Sequence, residues 1–146
     1  MAPDRRAVNA ALARARFGAA RVARLATASA SGKPHIVPIV FACSGDRIYS
    51  VVDAKPKRHT ALKRIANVRE NPSVSVLVDH YDDLDWSALW WVRADGHGRI
   101  LEPGAEEARN ALALLRERYP QQEPIGDLLA VDVERWSGWM AGSPSG

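Results

Sequence analysis

The stretch from Val22 to Val52, VARLATASASGKPHIVPIVFACSGDRIYSVV, decides the fold. Val22 to Ala28 is a first strand-like run, and Ser29 to Pro34 (SASGKP) has the composition of a turn. His35 to Ala42 (HIVPIVFA) is a second run, Ser44-Gly45-Asp46 a second turn, and Arg47 to Val52 (RIYSVV) a third run. Short β-rich segments joined by Gly, Ser and Pro turns pair with their sequence neighbours, so the stretch predicts an antiparallel meander. Pro38 interrupts the second run by removing a backbone donor. It places that strand at an edge, at a bulge, or beside something other than a neighbouring strand.

Upstream, Val8, Ala11, Leu12 and Ala15 keep helical spacing, with Asp4 as a cap and Gly18 as a stop, which predicts a helix over about 4–17. Downstream, a second helix is expected over Thr60 to Glu70, with Leu62, Ile65, Ala66 and Arg69 on one side and Asn71-Pro72 ending it. Val74 to Val78 has the β-branched content of a buried strand, and the acidic stretch Asp79 to Asp85 forms a loop. Leu89 to Ala94 and Gly98 to Leu101 read as one long strand broken at Asp95-Gly96. Glu106 to Tyr119 is a third helix with Ala108, Leu112, Leu115 and Tyr119 inward, stopped by Pro120. Leu128 to Val133 closes the sheet, and the tail from about Gly142 is expected to be flexible. The order does not alternate as βαβ units do. It predicts a mainly β, α+β domain: a six-stranded antiparallel barrel or curled sheet with flanking helices.

With 146 residues there is room for one domain and one core. A hydrophobic fraction of 47% and a charged fraction of 25% exclude disorder as the main state. No apolar run approaches the roughly 20 residues that span a bilayer, and MAPDRRAVNA is followed by no apolar signal core, so a cytoplasmic protein away from membranes is expected. The single cysteine, Cys43, excludes an internal disulfide and a multi-thiolate metal site, and reads as a small residue in a strand.

The net charge of +3 conceals an asymmetry. Residues 1–78 hold 14 Lys/Arg against 4 Asp/Glu, whereas residues 79–146 hold 6 against 13. Part of the basic excess (Arg5, Arg6, Arg14, Arg16) reads as a solvated helix face. The concentrated part is Lys55, Lys57, Arg58, Lys63 and Arg64, at the exit of the third strand and the start of the second helix. Free N–H groups at a helix start, three cations in four residues and a stiffening Pro56 form an anion site suited to a few phosphate or carboxylate groups. A duplex is a poor match, since the cations are not interleaved with aromatics as in a nucleic-acid reader, and no nucleic-acid partner is expected. Trp86, Trp90 and Trp91 follow the acidic loop. Flat side chains suit a flat heteroaromatic ring, although Trp90 and Trp91, being adjacent, should face opposite sides of a strand.

No dinucleotide fingerprint, phosphate-binding loop, nucleophile elbow or H-E-x-x-H occurs, and His35, His59, His80 and His97 stand singly, with no ligand spacing for a metal. An enzyme of this composition would take its chemistry from an organic cofactor.

Taken together, ARLAT, GKPHIVPIVFA, IYSVVDAKPKR, LKRIANVRENPSVSVLVDHYDD and DWSALWWVRADGHGRI resemble the split-barrel oxidoreductases related to pyridoxamine-phosphate oxidase. The similarity runs from about Arg21 to Trp139 and is to their deazaflavin branch, which uses coenzyme F420 in actinobacteria and archaea. The KPKR strand exit and the N-x-R-x-N-P helix end are similar to a subfamily described as probable F420-dependent enzymes. The resemblance implies an FMN-binding-type split barrel that forms a homodimer, with a cofactor in the groove between barrels and a small organic substrate. It would lay Val37, Pro38 and Ile39 beside the deazaflavin ring. Lys55, Lys57 and Arg58 would hold the phosphate and glutamate tail, helped by Thr60, Lys63, Arg64 or Asn67, and Trp86 would pack on cofactor or substrate, across the dimer or within it. Hydride would pass between the deazaflavin and the substrate, with Tyr81, His80 and solvent as the proton sources on offer. FMN-dependent oxidases of this fold carry R-x-[VL]-L-[LY]-K on the second strand, and HIVPIVFA lacks that arginine. The alternatives are an FMN-dependent enzyme of the same fold, or a non-catalytic binder of flavin, deazaflavin or haem.

Overall fold

The meander opens into one curled antiparallel sheet in the computed structural model, which describes residues 8–53, 58–123 and 126–142, with the side chains of 53 and 58–62 outside that description. In chain order the elements are α1 (Ala10–Ala19), β1 (Ala23–Ala28), β2 (Pro34–Ile39), β3 (Ala42–Ser44), β4 (Arg47–Asp53), α2 (Arg58–Glu70), β5 (Ser73–His80), a 3₁₀ turn (Trp86–Ala88), β6 (Trp90–Ile100), α3 (Glu106–Arg118) and β7 (Gly126–Met140). The sheet order is β2-β1-β5-β6-β7-β4-β3, and every pair is antiparallel. No helix among the described residues is long and apolar enough to cross a membrane.

The expected six strands are seven, because HIVPIVFA is two strands rather than one. β2 stops at Ile39 and pairs with β1, whereas β3 starts at Ala42 and pairs with β4. The sheet's two edge strands are therefore consecutive in the chain, joined by Val40 and Phe41. Such a short link forces the sheet to curl until its edges meet, yet no ladder closes the seam. β2 is an edge strand, the place where a sheet tolerates Pro38.

The link is held by side chains. Ser50 Oγ donates to the Val40 carbonyl at 2.8 Å. The Phe41 N–H donates to the Tyr119 hydroxyl at 3.3 Å, and the Phe41 carbonyl accepts from Tyr119 at 3.0 Å and from Arg118 Nη1 at 3.1 Å. Phe41 is fully buried, its ring 5.0 Å from that of Phe17. The backbone polar groups of Val40 and Phe41 that leave the ladder at the seam thus find partners on β4 and at the end of α3.

Two cores lie on opposite faces of the sheet. The larger fills the curl, with Phe17 of α1 and Ile65 and Val68 of α2 packed among Leu25, Val76, Val92 and Val131. The smaller lies under α3, where Ala108, Ala111 and Leu115 meet Tyr49, Leu128 and Ala130. α1 begins later than the sequence suggested: Val8 and Asn9 are not helical, and the Asn9 side chain accepts from Leu12 N as the cap. Asp4 lies outside the described residues, as does the tail beyond Gly142. β6 runs unbroken through Asp95-Gly96, and the irregularity there is a bulge in its pairing with β7. A Cβ on Gly96 would lie 2.2 Å from the Asp132 carbonyl oxygen, so glycine permits the approach. β7 extends far beyond the expected Val133 because Arg135 to Met140 keep pairing with β6.

α3 is fastened to the sheet by charge. Arg99 donates to both Glu107 oxygens at 2.6 and 2.7 Å and to Asp132 at 2.7 and 3.0 Å, while Tyr49 donates to Glu107 at 2.9 Å. The Arg99 hydrogen bonds hold the Glu107 pKa down to about 2, from a usual 4.5, and that of Asp132 below its ordinary value. Because the folded pKa is depressed, this stabilisation is complete above pH 4.5 and is lost as pH falls towards 2. The urea midpoint should therefore fall more steeply over that acid range in the native chain than in Glu107→Gln. Parallel slopes would contradict the role of the ion pair.

Candidate functional site

β2 and α2 meet at the seam, and a cavity of about 390 Å³ opens there, lined by Val22, Pro38, Ile39, Val40, Val51, Arg64 and Gln122. Its walls are apolar apart from Gln122 and the Arg64 guanidinium. Arg64 is half-buried, its Nε is buried with no hydrogen-bond partner, and it enters no ion pair among the described residues. Burial lowers its pKa, which marks a charge held where solvent stabilises it poorly. Arg14, Arg24, Arg47, Arg93 and Arg99 form ion pairs with carboxylates, whereas Arg16, Arg21, Arg69, Arg109, Arg116, Arg118 and Arg135, like Arg64, form none among the described residues; Arg64 differs from these in having its Nε buried without a partner. An unpaired guanidinium in an apolar recess is the electrostatic condition for an anion site.

The structure brings together Pro38, Ile39 and Arg64 of the residues named from sequence. Val37 lies on the inner face of β2 and packs against the main core. Lys63 is exposed on α2 beside Arg64 and likewise has no ion pair among the described residues. Asn67 is 3% exposed, and its Nδ2 donates to Thr27 Oγ1 at 3.1 Å, so its amide ties α2 to β1. Arg58 and Thr60 belong by backbone to the first turns of α2, with side chains outside the described residues; Lys55 and Lys57 lie outside them altogether. Trp86 is 67% exposed on the 3₁₀ turn and lines neither this cavity nor the larger one on the outer sheet face. Val22, Val40, Val51 and Gln122 were not anticipated. The valines read as ordinary strand residues, and nothing local marks Gln122. Cys43 lies half-buried on β3, where burial pushes its thiol up to about 11 and leaves it unreactive.

The recess fits a flavin-type group in two respects: an apolar wall including an edge strand to lie against a ring, and an uncompensated cation for a phosphate. A charge retained for a ligand contributes nothing to the empty fold. Arg64→Met, which keeps the apolar stem, should leave the urea stability of the ligand-free chain unchanged or raise it by up to about 2 kcal/mol. A loss of more than about 1 kcal/mol would instead make Arg64 a structural residue.

Comparison with known proteins identifies the family and the fold. The family model for pyridoxamine 5'-phosphate oxidase matches residues 10–140. No curated protein matches the sequence significantly. Among solved structures, an FAD-binding protein from Mesorhizobium loti is similar at 28% identity and a TM-score of 0.71, covering 91% of this chain and 95% of that one. A conserved hypothetical protein from Mycobacterium tuberculosis aligns at 20% identity and a TM-score of 0.73, covering 95% and 89%. The haem storage protein of Vibrio cholerae aligns at 18% identity and a TM-score of 0.62, covering 89% of each chain. The last two likenesses concern the fold alone. With a family model matching residues 10–140, nearly its whole length, the chain belongs to the pyridoxamine 5'-phosphate oxidase family.

Proposed function

We propose that the protein is an F420-dependent oxidoreductase, binding the deazaflavin coenzyme along β2 and α2 and exchanging hydride with a small organic substrate. The observation that carries this reading is the unpaired Arg64 in the recess walled by Pro38 and Ile39. When bound, the coenzyme supplies the hydride chemistry. The chain's part is to bind, orient and exclude water. Pro38 and Ile39 offer an apolar wall for the ring, while Arg64 and Lys63, with Lys55, Lys57 and Arg58 preceding them in sequence, supply positive potential for a tail of several negative charges. The missing strand-two arginine argues against FMN, but the 28% identical FAD-binding relative keeps an FMN-dependent enzyme as the second reading.

Titrating the purified protein with the deazaflavin coenzyme and with FMN, followed by fluorescence, separates the two. The coenzyme should bind at least tenfold more tightly, and Lys57→Ala with Arg58→Ala should weaken it by a further factor of about ten. Tighter FMN binding would establish the second reading, and binding of neither would remove both.

The active form is proposed to be a homodimer with the cofactor groove between its barrels. On the outer face of β2, β1, β5 and β6, Ile36, Leu77 and Trp91 belong to neither core and help to line a cavity of about 600 Å³. Ile36 is 65% exposed. This apolar patch is bordered by the ion pairs Arg24–Asp79 and Arg93–Asp95, an apolar centre with a polar rim that a two-fold contact can bury. Light scattering should give twice the 16.0 kDa of one chain, falling to 16.0 kDa in Ile36→Glu. A monomeric native chain would contradict the dimer.

A further inference from the structure

The inner face of β2 carries a titratable group that the cofactor reading leaves unused. His35 stands opposite Thr27 in the β1–β2 register, so the two side chains share a face. Thr27 in turn accepts the Asn67 amide of α2. The stretch of α2 that bears Lys63, Arg64 and Asn67 therefore lies over His35. Two buried nitrogens on these facing elements lack hydrogen-bond partners: His35 Nδ1 and Arg64 Nε.

Building on the reading of this groove as a polyanion site, we propose that His35 is a further member of it and takes up a proton as the anion binds. Occupancy and His35 protonation are then one linked event.

The charged groups facing His35 among the described residues are Lys63 and Arg64 of α2. Thr27 of β1 and its own neighbours Pro34 and Ile36 do not titrate. Without an anion, burial foremost and then Lys63 and Arg64 oppose the imidazolium, holding His35 below the usual 6.5 and neutral at pH 7. An anion that neutralises the two cations removes their repulsion and adds its own attraction, so the proton becomes favourable. By reciprocity the proton strengthens anion binding. The free pKa lies below the bound one, so affinity rises as pH falls between them, by at most about tenfold per pH unit for one proton. Ile39, the cavity residue on the same face of β2, is four positions away, about 13 Å at strand spacing. A ligand that reaches both must be extended, as a tail of several carboxylates or phosphates is.

The test is an NMR titration of the full chain from about pH 5 to about pH 8, in sulfate and in chloride of equal ionic strength. Sulfate does not titrate in this range, and His35→Gln assigns the signal. The His35 midpoint should rise by half a unit or more in sulfate, and sulfate affinity should lose its pH dependence in His35→Gln. If sulfate shifts the Arg64 Nε resonance but leaves the His35 midpoint unmoved, this inference fails and the anion site stands. If sulfate moves neither, the anion site is absent and both fail.

Discussion

Val40 and Phe41 connect the two edges of a single seven-stranded sheet, and a connection that short leaves the sheet no choice but to curl. Leaving the ladder there strips backbone groups of their strand partners. Ser50, Arg118 and Tyr119 replace those partners, and Phe41 seats the link in the core between Phe17 and the Arg118 guanidinium. The seam is thus rigid without being closed by strand pairing. What remains beside it is an edge strand containing proline, and a recess that no neighbouring strand fills.

That recess is where the fold holds a charge that no described residue answers. The Arg99 network shows how the chain treats a cation it uses for stability: four hydrogen bonds to two carboxylates, on elements that need fastening. Arg64 receives none of this among the described residues, and its Nε is buried without a partner. Holding an uncompensated guanidinium against apolar walls works against folding, and a ligand that brings the missing negative charge reverses the sign of the effect. Burial first, and after it the same positive potential of Lys63 and Arg64, suppress the proton on His35.

Much of this was legible in the sequence because strands, turns and helix stops follow local rules. The ends of β1, β4, α2 and α3 fall within a few residues of their patterns. The break in HIVPIVFA was hidden because Val40 and Phe41 are as apolar as their neighbours, and the side chains that hold the break come mainly from α3, some 80 residues away. β7 was underestimated because Ser137 and Gly138 weaken the alternation, although the pairing with β6 continues. In the site, composition identified the basic cluster, but only the phase of α2 separates Arg64 in the recess from Lys63 on the surface and Asn67 under the helix. Asn67 matched a binding pattern, yet its amide is taken up by Thr27.

The proposed function is electrostatic at root: an extended polyanion would be gripped by the basic cluster, of which Lys63 and Arg64 have no ion pair among the described residues. Coenzyme affinity measured against ionic strength addresses it most directly, because contacts between several charges weaken steeply as salt rises, whereas apolar stacking does not. The account predicts a loss of tenfold or more in affinity between about 0.05 M and about 0.5 M salt, with the slope reduced in Arg64→Met. An affinity that stays constant across that range would contradict it.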